Sequence, residues 1–282
     1  MRKLEAMHSQ RFEAVDALRG LAMVWMAIFH FCFDLNQQGY LKQDFHHDPL
    51  WTWQRTCILS LFLLCAGAGQ AIALQQGQTW ARFWRRWLQI AGCAVLVSIG
   101  SALMFPTTFI YFGVLHGMAL MLIVARLSAG LGALLWPLGL LAIAMKPIAA
   151  YAISTGVWGT FLNDRSFNWL GLVSVLPVTE DYVPIFPWLG MMWWGMAAMQ
   201  WMLRRQTPTA DWVPKRSAQV KEEAAQRPGD TEQNALVPGL LTPQAMPRPM
   251  APLAALGRWS LSFYMLHQPI LLGALWLWAA TK

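Results

Sequence analysis

What most constrains this chain is a succession of apolar windows, each about 20 residues long and nearly free of charge, set between short polar or basic stretches. A helix rising about 1.5 Å per residue crosses the hydrocarbon core of a bilayer in one such window. A soluble domain has no place for several of them: it carries about 25% charged residues, and this chain carries 12% over 282 residues. The expectation is an all-α, polytopic transmembrane helix bundle. The windows predict about seven spans, near 17–36, 56–76, 86–106, 108–128, 130–149, 183–204 and 258–280. Lys146-Pro147 interrupts the fifth, and apolar residues continue from Ile148 to Leu162, the pattern of a broken or re-entrant helix. Residues 205–252 differ from the rest. Rich in Pro, Gln, Ala and charge, they read as a disordered cytoplasmic linker. The chain thus divides into a membrane domain over 1–204, the linker, and a last transmembrane helix over 253–282 that completes the same domain.

The net charge of +7 invites a nucleic-acid reading, but the basic residues sit at span ends and in the loops of one side. Of the 21 Lys and Arg, only Lys42, Arg55, Lys146, Arg165 and Lys282 fall on the other side. That asymmetry puts the N-terminus in the cytoplasm and the C-terminus outside. No nucleic-acid partner follows; membrane lipid does. The first apolar segment is too long for a cleavable leader. The four cysteines, Cys32, Cys57, Cys65 and Cys93, lie in apolar segments without metal-ligand spacing and read as buried thiols.

The first span, RFEAVDALRGLAMVWMAIFHFCFDLN, carries an ionisable stripe. Arg19 and His30 stand about three helical turns apart, with Asp16 one turn before Arg19 and Asp34 one turn after His30, so all four share a face. Ionisable groups inside a membrane are costly and face a bundle interior or a water-filled cavity. For His30 the plainer alternative is an interhelical hydrogen bond. For Arg19 it is snorkelling to the interface beside Asp16. Two more histidines fall at similar depth: His116 between Gly113 and Gly117, and His267 on a face with Ser260 and Tyr264, with Gln268 adjacent. They predict either one shared cavity or three separate hydrogen bonds. The first outer loop, QQGYLKQDFHHDPLWTWQRT, holds Asp44, His46, His47, Asp48 and Arg55. A histidine beside a carboxylate serves as a general base near neutral pH. The loop reads equally as a solvated turn with an aromatic belt at Trp51 and Trp53. No metal is expected, because adjacent histidines rarely both coordinate and no third ligand is well spaced. A later stretch, PVTEDYVPIFPWLG, adds Glu180, Asp181 and Tyr182 on the same side, as a cover over the cavity or as a rigid hairpin.

In this order, RFEAVDALRGLAMVWMAIFHFCFDL, FLLCAGAG, YFGVLHGMAL, TEDYVPIFPWLG and LGRWSLSFYMLHQP resemble the bacterial DUF1624 family. That family is related to the catalytic domain of heparan-alpha-glucosaminide N-acetyltransferase. The DALRG…FH portion is also similar to the acyltransferase-3 group. The resemblance covers most of the chain outside 205–252. It implies an N- or O-acetyltransferase in a bacterial inner membrane. Such an enzyme passes an acetyl group from cytoplasmic acetyl-CoA, a co-substrate and not a permanent cofactor, to a saccharide acceptor outside. It implies a catalytic histidine at His46, with His47 within alignment error. The lysosomal enzymes have asparagine where this chain has His30, while acyltransferase-3 proteins have histidine there, so both positions stand as candidates.

The expected catalytic set is His30, His46, His47 and Asp34. Arg19, His116, Tyr264, His267, Gln268, Arg55, Glu180 and Asp181 are expected to hold acyl donor or acceptor, with His116, Tyr264 and Gln268 as oxyanion donors. Arg82, Arg85 and Arg86 are either cations for CoA phosphates or the ordinary basic-side signal. A homo-oligomer is compatible with all of this. The competing readings are a transporter using the histidines as a proton relay, against which no inverted repeat is visible, and a non-catalytic membrane subunit.

Overall fold

The computed structural model of the protein describes residues 13–206 and 250–281. These form eight helices: α1 (Glu13–Gln37), α2 (Pro49–Gln75), α3 (Trp80–Met104), α4 (Val114–Ser128), α5 (Leu135–Ser154), α6 (Ile185–Gln206), α7 (Ala251–Arg258) and α8 (Ser260–Ala280). No strand forms among the described residues; one isolated parallel bridge joins Phe112 to Tyr182. Among the described residues, five helical stretches are long and apolar enough to cross a membrane: α1, α2, α3, the run Val114–Ser154 and α8. The linker expected over 205–252 lies mostly outside the described residues, and its described ends belong to α6 and α7. Contacts divide the chain into Met1–Gln200 with Met246–Lys282 as one unit and Trp201–Ala245 as another; everything below concerns the first.

Local chemistry explains where the helices begin. α2 starts at Pro49, well before the expected residue 56, because the Asp48 side chain accepts the Leu50 amide at 2.8 Å and Pro49 suits a first helical position. Trp51, Trp53 and Arg55 therefore belong to a helix rather than the loop. Thr79 caps α3 in the same way, placing Arg82, Arg85 and Arg86 in its first two turns. The fifth span departs from expectation more sharply. Pro147 lies inside a continuous helix, and the break falls instead at Gly132, whose φ of 57° and ψ of −117° interrupt a 3-10 stretch over Ala129–Leu134. Proline removes one amide donor, which a helix tolerates. The left-handed backbone at Gly132 is incompatible with a helix and separates α4 from α5. No re-entrant helix follows: α5 ends at Ser154, and the next regular turn is a short 3-10 helix, Thr160–Asn163.

α1 lies at the centre of the packing, against α2, α7 and α8. α3 packs on α4, and α2 on α4. α2 and α6 approach so closely that a Cβ on Gly67 would collide with the Met192 carbonyl, and one on Gly195 with the Leu64 carbonyl. Small residues at such crossings let apolar helices gain dispersion contact where lipid offers no hydrophobic drive. α8 runs parallel to α1, as three successive pairs show: His30 with His267, Asp34 with Gln268, and Tyr40 with Trp278. α3 and α8 leave most of their apolar side chains exposed, including Leu88, Leu96, Leu103, Ile270, Trp276 and Leu277, as lipid-facing helices do.

Candidate active site

Two polar pairs join α1 to α8. The rings of His30 and His267 stand 5.2 Å apart, centroid to centroid. One turn further along, about 6 Å at ~1.5 Å per residue, the Gln268 amide nitrogen donates to both oxygens of Asp34 at 2.9 and 3.1 Å. Asp34 is only 2% exposed. Nδ1 of His267 is 2.7 Å from the Tyr264 carbonyl oxygen. A carbonyl only accepts, so Nδ1 carries the hydrogen, and Nε2 of the neutral ring is a bare acceptor. That Nε2 is buried and finds no donor among the described residues. Phe263 stacks on the same ring at 5.8 Å, and Tyr264 tilts against it at 5.8 Å. His30 is half-buried, meets Phe29 edge-on, and makes no hydrogen bond among the described residues. The seam therefore presents two imidazoles in contact, one with an unspent nitrogen lone pair, beside a buried carboxyl.

The 38–48 loop is anchored by a residue that sequence reasoning missed. Phe45, 3% exposed, inserts into the cluster of Met23, Met26, Phe29 and Ile58 and stacks on Trp51 at 4.0 Å. It is the one apolar residue between Lys42 and Asp48, which was the available signal. The anchor fixes its neighbours. His46 is exposed and meets Phe33 at 6.3 Å, on the wall of an open depression of about 560 Å³ lined also by Asn36, Gln37, Lys42 and Asp44. His47 contacts Asp44 at 2.9 Å, and Asp44 also accepts the His46 and His47 amides. Those amide bonds, before the His47 ring itself, hold the Asp44 carboxyl below its usual range.

The 105–113 and 155–184 loops are stitched to each other. Glu180 N–H donates to the Thr108 carbonyl at 2.8 Å and Val183 N–H to the Phe112 carbonyl at 3.1 Å. The Thr179 hydroxyl donates to the Phe109 carbonyl, and Thr108 donates to the Glu180 carboxylate. Asp181 accepts the Val114 amide at 2.8 Å at the start of α4. Although part of the residue reaches solvent, its carboxyl is enclosed, and a Cβ on Gly113 would strike it. Burial pushes that carboxyl above its usual range, while the Val114 bond and the Arg55 charge pull the other way. Asp181 is also within electrostatic reach of Tyr264. Burial raises the Tyr182 hydroxyl as well, and this hydroxyl donates to the Asn168 carbonyl.

His116 is engaged elsewhere. Its Nδ1 accepts the Gly113 amide at 3.3 Å and its Nε2 faces the Ser98 hydroxyl at 3.1 Å, which in turn donates to the Ile110 carbonyl. Both ring nitrogens are thus spent on joining α3 to the start of α4. The structure brings His30 and His267 together and gives His116 separate partners.

At the opposite end of α1, Arg19 pairs with Asp16 at 3.2 Å and donates to the Cys65 carbonyl of α2 at 3.3 Å. Arg82, Arg85 and Arg86 are exposed on α3. Sequence reasoning treated Arg126 only as one more basic-side charge. It is 7% exposed, bonded to Gln78 and stacked over Trp80 and Phe83 at 5.1 and 5.4 Å. Among the described residues no group of three His, Cys, Asp or Glu side chains is placed to hold a metal ion.

A family model described as heparan-alpha-glucosaminide N-acetyltransferase, catalytic, matches residues 11–225. The chain belongs to this family. It is an integral membrane protein of an acetyltransferase family, and α1 to α6 carry the family match. The match ends before α7 and α8, so His267 and Gln268 lie beyond it. No curated protein and no solved structure matched the chain.

Proposed function

We propose that the protein is a transmembrane acetyltransferase that moves the acetyl group of acetyl-CoA, offered at the basic side, to a sugar or glycan acceptor. The acceptor arrives at the loops 38–48, 105–113 and 155–184. The single observation that carries this reading, within the family, is the His30–His267 contact beside Asp34 and Gln268. His30 takes the proton of the acceptor amine or hydroxyl as its nitrogen or oxygen bonds to the thioester carbonyl carbon. The carbon–sulfur bond then breaks, and the departing CoA sulfur recovers that proton from His30. The bare Nε2 of His267 supports the imidazolium, and Asp34 compensates its charge. Tyr264 and Gln268, which flank His267 on α8, serve as donors to the developing oxyanion. His46 and His47 sit in open water, where a reactive thioester would be exposed to hydrolysis, so they serve the approach of the acceptor together with Arg55, Glu180 and Asp181. Arg82, Arg85 and Arg86, with Arg19, meet the CoA phosphates. The reading includes seven spans, a cytoplasmic N-terminus and a bacterial inner membrane. The bonds between loops 105–113 and 155–184, and the bond from Arg126 near the end of α4 to Gln78 between α2 and α3, support successive helices ending on alternate sides.

The test is turnover of radiolabelled acetyl-CoA by full-length protein in nanodiscs. His30→Ala lowers kcat by about 10²-fold or more, while His46→Ala acts chiefly on KM for the acceptor. Loss of kcat in His46→Ala with His30→Ala near wild type moves the base to the loop. Solute flux in liposomes without any acetyl transfer sinks the enzyme reading in favour of a transporter.

A further inference from the structure

We infer that the 105–113 and 155–184 loops form a second ligand site, a pocket for a single sugar ring bearing an oxyanion, carboxylate or phosphate. This rests on the proposed saccharide acceptor arriving at these loops, and it specifies that acceptor's chemistry. The pocket has a volume of about 220 Å³ and is lined by Phe109, Tyr111, Asn163, Arg165, Asn168 and Val178, among others. Drug-sized sites run to roughly 300–1,000 Å³, so the space suits one ring. Its walls are held by the backbone bonds between Thr108 and Glu180 and between Phe112 and Val183.

Two groups in it have bonds left to make. The first is Arg165. Its guanidinium stacks over Phe109 at 4.6 Å and Tyr111 at 4.4 Å, and it forms no ion pair or hydrogen bond among the described residues. Asp164 precedes it in sequence without pairing to it. The rings hold the cation in place while its N–H donors stay unspent, the arrangement that recognises a planar carboxylate or a phosphate. The second group is Asn168, 3% exposed. Its amide nitrogen donates to the Tyr111 hydroxyl oxygen at 2.7 Å, and its Oδ1 is buried with no donor among the described residues. Tyr111, having accepted that bond, still has its own O–H to give. A sugar hydroxyl answers both, donating to Asn168 Oδ1 and accepting from Tyr111. Exchanging the amide's oxygen and nitrogen leaves one amide atom unbonded all the same.

The pocket is tied to the histidine pair. Tyr182 donates to the Asn168 carbonyl, and the preceding residue, Asp181, lies within electrostatic reach of Arg55 and of Tyr264, one turn from His267. A ligand spanning the two sites places its acidic ring in the loops and its acetyl-accepting group near α1 and α8.

The experiment is titration calorimetry of full-length protein in nanodiscs with glucuronic acid, glucose 6-phosphate and glucose. Both anions are expected to bind about 10-fold or more tighter than glucose. Arg165→Gln, an exposed position, erases that preference without changing the melting temperature. Tyr111→Phe keeps the ring and weakens all three sugars alike. His30→Ala leaves all three affinities unchanged. Tighter glucuronate marks a carboxylate-bearing ligand, and tighter glucose 6-phosphate a phosphorylated one. Equal affinity for glucose and the anions, unchanged affinities in Arg165→Gln, or no binding at all overturns the pocket. Acetyl transfer measured on the same samples separates the two readings. Arg165-dependent binding without any transfer removes the transferase and leaves the pocket. Transfer with Arg165-independent binding does the reverse.

Discussion

Replacing Gln268 with Leu removes the side-chain donor that meets Asp34 across the α1–α8 seam. The structure sets two opposing contributions. The lost bond goes to a carboxyl that is 2% exposed, and a hydrogen bond to a charged group contributes about 1.5–3 kcal/mol. Leu also removes the Gln268 Oε1, which is buried without a donor among the described residues. Relieving such an orphan returns about 1 kcal/mol, the low end of the usual penalty. Interhelical polar bonds in membranes reach about 1.7 kcal/mol at most in measured cycles, because the unfolded helices also find partners. The expected net cost is therefore about 0.5–1 kcal/mol. At about 2–4 °C per kcal/mol for a chain of this order of size, the apparent melting temperature falls by roughly 1–4 °C. The assay is thermal unfolding in detergent followed by size-exclusion fluorescence for wild type, Gln268→Leu, Asp34→Leu and the double variant. The double variant should cost about 0.6–1.7 kcal/mol less than the sum of the singles. Strict additivity, or Gln268→Leu melting with wild type, would refute the claim that this pair docks α8.

Other outcomes follow from the same structure. Asp181→Asn keeps an oxygen for the Val114 amide and removes an enclosed carboxylate. The native carboxyl is held above its unfolded value, so its favourable contribution is complete below the unfolded pKa and is lost as pH rises through the folded one. Asp181→Asn should therefore melt higher than wild type at pH 8 and converge with it in acid; a pH-independent difference contradicts the burial argument. Gly67→Ala should cost about 1–3 kcal/mol by forcing α2 from α6, whereas Gly92→Ala, with open space at its Cβ, should gain up to about 1 kcal/mol; equal melting of the two refutes the close crossing. Phe45→Ala should free the 38–48 loop, read as faster amide exchange there, with a local cost of about 3–5 kcal/mol. Unchanged exchange means that something other than the Phe45–Trp51 stack holds it.

Much of this was legible in the chain because membrane helices announce themselves locally. The apolar windows and the four-residue spacing of His30 and Asp34 are properties of short segments; the Asp48-Pro49 start signal is equally local, yet the span was expected to begin only at 56. What was hidden depends on distant partners. The Asp34–Gln268 bond joins residues 234 apart in sequence, and although both residues stood out locally, no local pattern pairs one with the other. His116 looked like His30 by depth, yet Ser98 and Gly113 spend both its nitrogens. Pro147 looked like a break because proline destabilises helices in water. In the fold the discontinuity is at Gly132, where only the backbone angle reveals it. The pocket at Arg165 escaped notice because backbone bonds between two loops build it, and backbone bonds carry no sequence signature.

In the proposed mechanism, the seam between α1 and α8 couples chemistry to assembly. α8 buries only His267 and Leu275. Its remaining apolar surface would be as well served by lipid, so apolar burial gives it little reason to stay against α1. What holds it is polar: Gln268 on Asp34, and His267 packed against His30. The same bonds that dock the helix place the second imidazole beside the first. The site is therefore composite. The family-matched helices supply His30 and Asp34, α8 from beyond the match supplies their partners, and the paired imidazoles exist only while α8 is docked.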